Sequence, residues 1–329
     1  MLQRKLVKDI QEKGCGMKYT VSITTKVKSP LSGLLVIEPE DYTIAEVKAL
    51  KKAGGKILAY LSVGSVSDEQ PNYYKALKPY QLKRLEDWPH ERYIDLRRSA
   101  VREWCQKQAK MYKGAGYNGW WLDNIDVYEE YKSTAMFNAI VSTLQSIKAV
   151  GGYVMINGGS AFLTDLLIPH KVQLGAYKDE SNAKKMVSAL KVKGFRASII
   201  KMDGLYKVQA GAFSSKDGAD RLVKELHEAG FDTAKRITMY SGKASALVDG
   251  VTQEEVFSLI TDYGGRGTFG KQEKGLSEFY QAHMRRVRKA GIEAFLLEYT
   301  RDNTLKLRIK AFCSAAGMSG FYISDDVDL

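Results

Sequence analysis

The chain has 329 residues, of which 44% are hydrophobic and 27% charged, a composition typical of a folded protein of about two domains. Lys and Arg number 50 against 38 Asp and Glu, and the net charge of +12 favours an anionic or neutral partner over a cationic one. No apolar run approaches the length of a membrane span, and no Arg-rich or aromatic nucleic-acid motif is present. We therefore expect neither a membrane-spanning segment nor a nucleic-acid partner.

The N-terminal segment, MLQRKLVKDIQEKGCGMKY, lacks the apolar stretch of a secretory signal. Leu2, Leu6 and Ile10 lie four residues apart, a spacing that predicts an amphipathic helix instead. The three cysteines have no His or Cys at ligand spacing, which predicts buried or free thiols and neither a zinc site nor a disulfide framework. They are Cys15, Cys105 and Cys313.

Apolar runs alternate with helical patterns along most of the chain, and the runs lack strict alternation, as expected of parallel strands buried on both faces. The predicted strands are 19–25, 33–38, 56–62, 118–123, 152–157, 246–253, 293–298 and 319–324. The predicted helices are 43–53, 98–113, 133–149, 253–262, 274–290 and 304–316. Eight strands with crossover helices predict an α/β fold, the (β/α)8 TIM barrel, formed by residues 1–169 and 239–329.

Residues 172–236 contain one sequence written twice. VQLGAYKDESNAKKMVSALKVKGFRASII returns 36 positions later as VQAGAFSSKDGADRLVKELHEAGFDTAKR, with nine identities in 29 positions. Each copy predicts a strand, an amphipathic helix and a Gly-Phe turn into a second strand. Because one copy cannot bury its own apolar face, we expect both to form one small α+β, ferredoxin-like module. The module, at 170–238, is expected to interrupt the barrel after strand 5.

The paired VQxGA[YF] openings and the Gly-Phe turns resemble the SPOR domain, a family that binds peptidoglycan glycan strands stripped of their peptides. The resemblance implies a cell-wall glycan as partner, bound through Gln173, Tyr177, Gln209 and Phe213. Residues 170–237 hold 14 basic and 8 acidic side chains, a charge that suits wall polymers carrying phosphate or carboxylate. The alternative is a ferredoxin-like insertion without a ligand.

Active sites of TIM barrels lie at the carboxyl ends of the strands, and these ends are rich in acids here. No His or Cys accompanies them, which leaves carboxylate chemistry or metal binding. Asp123, Asp126, Asp325 and Asp326 are the acids available to Ca²⁺ or Mg²⁺, but no EF-hand spacing is present. We expect no metal and no cofactor.

The same strand ends resemble glycoside hydrolase family 114, the endo-α-1,4-polygalactosaminidase-like barrels. The segments that carry the likeness are KILAYLSVGS, DWPHERYIDLR, GYNGWWLDNID, INGG, VDGVTQEEVF and LLEYTRD, and it extends from about residue 17 to 329. The resemblance implies an endo-acting glycosidase with a polysaccharide substrate. Ser65 departs from the family, which commonly has an acid after the Gly of strand 3.

Glycoside hydrolysis needs two carboxyl groups that flank the scissile bond. Asp123 ends the apolar strand 4, a position that favours a nucleophile or base over an N-cap or loop acid. Glu254, two strands further around the barrel, is the predicted acid/base. Its rivals are Glu298 on strand 7 and Glu255, which in the competing interpretation only starts the next helix.

Further polar and aromatic side chains are expected to line the site. Trp120 and Trp121 alternate along strand 4, so one should face the barrel interior and the other the helices. The predicted substrate-binding residues are Glu38, Tyr60, Ser62, Asp126, Asn157, Tyr299 and Asp325. Tyr322 is a candidate for either the site or the core. Trp88, Glu91 and Asp95 lie in the long stretch after strand 3, and no role is assigned to them.

These features predict a glycosidase that cleaves an amino-sugar-containing bacterial polysaccharide or cell-wall glycan and is targeted to peptidoglycan by the SPOR-like module. A neutral amino-sugar strand fits better than polygalactosamine, because a net charge of +12 repels a polycation. The alternative is a non-catalytic protein that binds wall glycan. We expect action at the bacterial cell wall, reached through a leader missing from this sequence or by another route such as phage lysis, as for an endolysin; the oligomeric state stays open.

Overall fold

The computed structural model describes residues 16–86 and 88–329, so the helix expected at Leu2–Ile10 and Cys15 lie outside the described residues. The strands are β1 Tyr19–Ser22, β2 Leu34–Ile37, β3 Lys56–Ser62, β4 Ser65–Ser67, β5 Gln81–Arg84, β6 Glu91–Ile94, β7 Gly119–Asp123, β8 Tyr153–Asn157, β9 His170–Tyr177, β10 Ser198–Met202, β11 Leu205–Phe213, β12 Lys235–Thr238, β13 Gly250–Glu254, β14 Ser258–Asp262, β15 Thr268–Lys271, β16 Glu293–Tyr299 and β17 Gly320–Ser324. The α-helices are α1 Ile44–Leu50, α2 Pro71–Leu77, α3 Ser99–Gly114, α4 Val127–Glu130, α5 Thr134–Lys148, α6 Ser160–Leu167, α7 Glu180–Val192, α8 Lys216–Glu228, α9 Lys274–Lys289 and α10 Asn303–Ala315.

Eight of these strands form one parallel sheet in the order β1-β2-β3-β7-β8-β13-β16-β17. Beside the first and last strands, the Met17 N–H donates to the Ser319 carbonyl at 2.7 Å, so the sheet is a nearly closed barrel. Each strand overlaps one of the eight predicted from the sequence, which confirms the α/β barrel. Unbroken apolar runs produce parallel strands here because helices cover one face and the barrel interior the other.

One predicted helix is wrong. Residues 253–262 end β13 and then enter an antiparallel hairpin of β14 and β15. Glu255 has a φ of 54°, outside the helical region, and its N–H donates to the Leu297 carbonyl at 3.0 Å. The apolar spacing of this segment fits a strand as well as a helix, and the Gly-Gly-Arg-Gly turn at 264–267 joins the two strands. The helix that follows begins only at Lys274.

The barrel interior is packed with side chains, and the two tryptophans of β7 divide as expected. The Trp121 indole N–H donates to Tyr19 Oη at 3.1 Å and to Thr252 Oγ1 at 3.0 Å inside the barrel. The Trp120 indole N–H donates to the Ala109 carbonyl of α3 at 3.1 Å, outside it. The buried interior residues are Tyr19, Val21, Leu34, Val36, Leu58, Trp121, Met155, Phe295, Leu297, Tyr299 and Leu329. Trp121 therefore has a core role.

The chain divides into two compact units. One contains residues up to 125 with 141–158 and 245–329, and the other contains 126–140 and 159–244. The second unit is thus longer than the predicted module at 170–238. Among the described helices, none has both the length and the apolar character needed to cross a bilayer. Cys105 and Cys313 are buried, as expected.

In the second unit the two sequence repeats form one four-stranded antiparallel sheet in the order β10-β11-β9-β12. Equivalent positions of the two copies meet in a shared core: Val172 and Val208, Ala183 and Ala219, and Leu190 and Leu226 are fully buried. The rings of Phe195 and Phe231, from the two Gly-Phe turns, pack edge to face at 6.2 Å. The repeat pairs as predicted because each half supplies the apolar face that the other lacks.

Candidate functional site

Two carboxylates and one amide lie at the carboxyl ends of three adjacent barrel strands. Asp123 ends β7, Asn157 ends β8 and Glu254 ends β13. The Asn157 Nδ2 group donates to Asp123 Oδ1 at 3.0 Å and to Glu254 Oε1 at 2.6 Å. The amide therefore bridges the two acids that the sequence predicts as the catalytic pair.

Two tyrosines from the flanking strands complete this network. Tyr60 on β3 donates its hydroxyl to Asp123 Oδ2 at 3.1 Å, and Tyr299 on β16 donates to Glu254 Oε2 at 2.6 Å. Five consecutive strands thus supply one side chain each, and all four carboxylate oxygens accept a hydrogen bond. Each oxygen keeps a second lone pair, so the acids can still act on a bound substrate.

Burial shapes the protonation of this network. It raises the pKa of Glu254, and the negative charge of Glu255 adds to the shift, while the hydrogen bonds from Tyr299 and Asn157 oppose it. Burial, with the nearby Asp123 and Glu254 charges, also raises the pKa values of Tyr60 and Tyr299 well above 10. Both tyrosines therefore remain neutral donors, and Glu254 retains its proton to higher pH than an exposed glutamate.

A second polar cluster lies beside Asp123. Ser62 Oγ accepts from Asn124 Nδ2 at 3.0 Å and bonds Ser65 Oγ at 2.9 Å, and Ser65 Oγ in turn donates to the Glu91 carboxylate. Asn124 holds a left-handed φ of 63°, and a Cβ on Gly64 would lie 1.7 Å from its carbonyl oxygen. The close approach at Gly64 explains why the chain needs glycine there.

Glu91 brings a carboxylate to the position where Ser65 replaces an acid. Its charge contributes, after burial and Asp123, to the raised pKa of Tyr60, as does that of Glu38. Glu38 directly follows β2, and burial raises its own pKa to about 7. Sequence reasoning left Glu91 without a role, because the contact that reveals one joins residues 26 positions apart.

Glu298, the predicted alternative to Glu254, lies in a different environment. It is fully buried, and its carboxylate accepts from the Phe257 N–H at 3.1 Å, the Ser258 N–H at 2.9 Å and the Ser258 hydroxyl at 2.6 Å. Burial raises its pKa to about 7 against these donors. Its contacts tie β16 to the start of the hairpin, whereas those of Glu254 lead to Asp123.

Two further predicted substrate-binding residues are Asp126 and Asp325. Asp126 immediately precedes α4 and belongs to the second compact unit. Asp325 is exposed, and it and Asp326 form ion pairs with Arg266 at 3.1 and 2.9 Å. In the described part of the chain, no group of three or more His, Cys, Asp or Glu side chains is arranged to hold a metal ion.

The two glutamines predicted to bind glycan are neighbours in the small sheet. Gln173 and Gln209 lie directly opposite each other on β9 and β11, and both are half-buried. Ser198 and Lys235 continue the row at either end, so one polar line crosses all four strands. The buried Val172 and Val208 directly precede these two glutamines in sequence. Since successive side chains of a strand point to opposite faces of the sheet, the polar row lies on the face away from the core.

Tyr177 and Phe213 instead pack against the core of the module. A Cβ on Gly175 would lie 2.6 Å from the Tyr177 hydroxyl, and one on Gly211 would lie 2.9 Å from the Phe213 ring. The Gly of each VQxGA[YF] opening thus makes room for the aromatic ring two residues later. Their contact with a glycan stays a prediction.

Residues 9–159 match the family model of glycoside-hydrolase family GH114, and residues 168–234 match that of the SPOR domain. The chain therefore carries a GH114 glycoside-hydrolase segment followed by a SPOR segment, and it is a glycosidase. The SPOR match lies C-terminal to the GH114 match, so these two matches do not by themselves support an insertion within the family domain. A comparison with curated protein sequences gives no significant match.

Solved structures resemble the GH114 glycosidase over nearly its whole length. The glycoside hydrolase domain of PelA from Pseudomonas aeruginosa has a TM-score of 0.59 at 15% identity, covering 94% of this chain and 96% of that one. Aspergillus fumigatus Ega3 in complex with galactosamine has a TM-score of 0.56 at 12% identity, covering 94% and 92%. At such identities the likeness establishes a shared fold. The peptidoglycan binding domain of the Bacillus subtilis cell wall lytic enzyme CwlC is 51% identical over 21% of this chain and 85% of its own, with a TM-score of 0.20.

Proposed function

We propose that this glycosidase hydrolyses an amino-sugar-containing bacterial polysaccharide or cell-wall glycan with Asp123 and Glu254 as the two catalytic carboxyl groups. The Asn157 amide that donates to both acids carries the proposal, because it holds the two carboxyl groups next to each other through one nitrogen. Two carboxyl groups held in this way are what glycoside hydrolysis requires. Glu298 has its hydrogen bonds to the hairpin instead, so we assign it a structural role.

Glu254 is proposed as the general acid. Its raised pKa keeps it protonated when it meets the glycosidic oxygen, and the proton passes to the leaving sugar as the bond to the anomeric carbon breaks. Asp123 attacks that carbon to give a glycosyl ester. Glu254, now ionised, then takes a proton from water, which displaces Asp123 and releases the second product.

The distances favour retention of anomeric configuration. Because Asn157 Nδ2 contacts Asp123 Oδ1 and Glu254 Oε1, these two oxygens lie at most about 5.6 Å apart, a limit that includes the roughly 5–5.5 Å of retaining enzymes. Inverting enzymes need about 6.5–9.5 Å between their carboxyl groups to admit a water molecule. Proton NMR of the first product formed by the wild type tests this step, and the inverted anomer would contradict it.

An amino-sugar glycan is the proposed substrate class. The solved Ega3 structure holds galactosamine, and the carboxylates of Asp123 and Glu91 give the active-site region a local negative charge that tolerates ammonium groups. The net charge of +12 acts at longer range and therefore does not decide between neutral and partly cationic sugars.

The SPOR domain is proposed to direct the barrel to peptidoglycan glycan strands, and thus to the bacterial cell wall. Its match covers residues 168–234. We further propose that this domain interrupts one continuous barrel fold, since β8 and β13, on either side of it in sequence, are paired neighbours in the barrel sheet. Joining the two activities in one chain raises the local concentration of substrate.

Release of reducing ends from polygalactosamine and from peptide-free glycan strands tests the proposed chemistry. Asp123→Asn and Glu254→Gln should each lower the rate by about 10³-fold or more, as expected when one of two essential groups is removed. Glu278→Gln, an exposed carboxylate on α9, is the matched control and should retain full activity. Equal rates for the wild type and Asp123→Asn would instead support the non-catalytic glycan-binding alternative.

A further inference from the structure

Two exposed aromatic side chains contact each other at the edge of the barrel. Trp88 is 52% exposed and Tyr263 is 46% exposed. Their ring centroids are 5.3 Å apart at an interplanar angle of 70°, an edge-to-face pair. Two exposed aromatic rings in contact form a continuous apolar surface, and such surfaces mark binding sites.

The two rings come from loops on opposite flanks of the catalytic strands. Trp88 lies between β5 and β6, in the long excursion that follows β3, and Tyr263 follows β14, in the excursion after β13. In the barrel, β7 and β8 separate β3 from β13. The ring contact therefore connects the two excursions at the carboxyl ends of the strands, where Asp123 and Asn157 also lie.

Each of the two residues has a neighbour that leads to one of the two carboxylates. The Glu91 N–H donates to the Trp88 carbonyl at 2.9 Å, and the Glu91 charge acts on Tyr60, the donor to Asp123. On the other side, Tyr263 is among the groups that, after burial and Glu254, raise the pKa of Tyr299, the donor to Glu254. The pair thus lies close to the site, on the excursions that follow β3 and β13.

We infer that Trp88 and Tyr263 form a distal sugar subsite, which packs against a pyranose ring of the polymer at a position removed from the scissile bond. The inference rests on the proposed function. A pyranose ring presents C–H groups on its faces, and these pack on aromatic surfaces while the hydroxyls stay in water. Half-exposed rings set at a steep angle offer such a surface.

Length-dependent binding tests this subsite. Calorimetry with the full chain carrying Asp123→Asn, which prevents turnover, compares α-1,4-linked galactosamine disaccharide with the octasaccharide. Trp88→Leu and Tyr263→Leu should each weaken octasaccharide binding about tenfold, the loss of one aromatic contact, and leave disaccharide binding unchanged. Tyr263→Phe should restore full affinity, since the ring rather than the hydroxyl is used. Phe279→Leu, a 43% exposed aromatic on α9, is the matched control and should change neither.

Tryptophan fluorescence gives a second readout, because Trp88 is half-exposed whereas Trp120 and Trp121 are buried and Trp104 is partly buried. Trp88→Leu identifies the contribution of Trp88, since the other three tryptophans remain in that variant. The octasaccharide should shift the emission of Trp88 to shorter wavelength, and the disaccharide should not. Unchanged octasaccharide affinity in both Leu variants, or equal weakening for both lengths, overturns the subsite. Failure of the proposed chemistry is a separate result: it appears as equal glycan cleavage by the wild type and Asp123→Asn.

Discussion

Asp123 and Glu254 accept hydrogen bonds from the same donor, the side-chain amide of Asn157, at 3.0 and 2.6 Å. An amide in this position can satisfy both acids, since its two N–H groups point to different neighbours. A carboxylate at position 157 would repel the carboxylates of Asp123 and Glu254. A small apolar residue at this position would donate no hydrogen bond to either acid. The geometry of the catalytic pair therefore depends on an uncharged donor between its members.

Two replacements of Asn157 should lower catalysis to different extents. Asn157→Ala removes two hydrogen bonds to acids, each worth about 1.5–3 kcal/mol, and we expect kcat to fall at least ~100-fold. Asn157→Asp should be worse and should move the acidic limb of the pH profile upward, because a third negative charge raises the pKa of its neighbours. Asn138→Ala, an exposed amide on α5, controls for loss of an amide. Near-wild-type kcat in Asn157→Ala would contradict the bridging role.

The charge around Glu254 should control the basic limb of the kcat/KM profile, since a general acid fails once it ionises. Glu255 raises the pKa of Glu254, and the Tyr299 hydrogen bond lowers it. Glu255→Gln, which keeps an oxygen for the Ile260 N–H, should therefore move the basic limb to lower pH. Tyr299→Phe should move it to higher pH. Steady-state profiles of both variants decide the assignment, and shifts in the same direction would refute it.

The barrel could be predicted from the sequence because its strands are unbroken apolar runs separated by amphipathic helices, and each run specifies its element locally. The repeat likewise indicated its own pairing. The helix predicted at 253–262 was wrong because the apolar spacing of this segment fits both a helix and a strand. Its true state depends on Glu298, whose buried carboxylate holds the Phe257 and Ser258 N–H groups in the hairpin.

The sequence predicted which residues lie at the strand ends of the site, but it did not predict the contacts that these residues make. Asp123, Asn157 and Glu254 follow strands whose carboxyl ends must meet, so their proximity follows from topology. Glu91 and Tyr263 reach the same region from long excursions whose paths no local pattern specifies. Two short runs separated by the Gly-rich turn at 264–267 were the available signal for the hairpin.

Glu298 should contribute a pH-dependent term to stability. Burial raises its pKa from 4.5 to about 7 in the folded protein. Between these values the folded state holds more protons than the unfolded state, so stability should fall as pH rises through this window, by roughly 3 kcal/mol in total. Thermal unfolding at pH 4.5, 6 and 7.5 measures the slope. Glu298→Gln should flatten it and lower the Tm at pH 4.5, because its amide N–H₂ faces backbone donors. An unchanged slope in this variant would contradict the assignment.

The polar row of the small sheet should bind peptide-free glycan strands. In the full chain carrying Asp123→Asn, adding Gln173→Ala with Gln209→Ala should weaken sedimentation with purified strands about tenfold, from the loss of side-chain hydrogen bonds. Asn182→Ala, an exposed amide on α7, controls for the helix side of the module. Binding that is lost equally in the control, or that appears with duplex DNA and falls steeply with salt, would contradict this face as the glycan site.

Gly64 provides a test of whether the corner after β3 positions the catalytic strand end. A Cβ there would lie 1.7 Å from the Asn124 carbonyl oxygen, so Gly64→Ala must move one of the two segments, at a cost of about 1–3 kcal/mol. The Val63 N–H also donates to the Asp123 carbonyl at 3.1 Å, so displacement of this corner reaches the catalytic residue itself. We expect kcat to fall ~100-fold, since small misplacements of reacting groups are costly. Gly114→Ala, where a Cβ meets no atom within 4 Å, is the matched control and should leave kcat and Tm unchanged. Full activity in Gly64→Ala would show that the corner relaxes without moving Asp123.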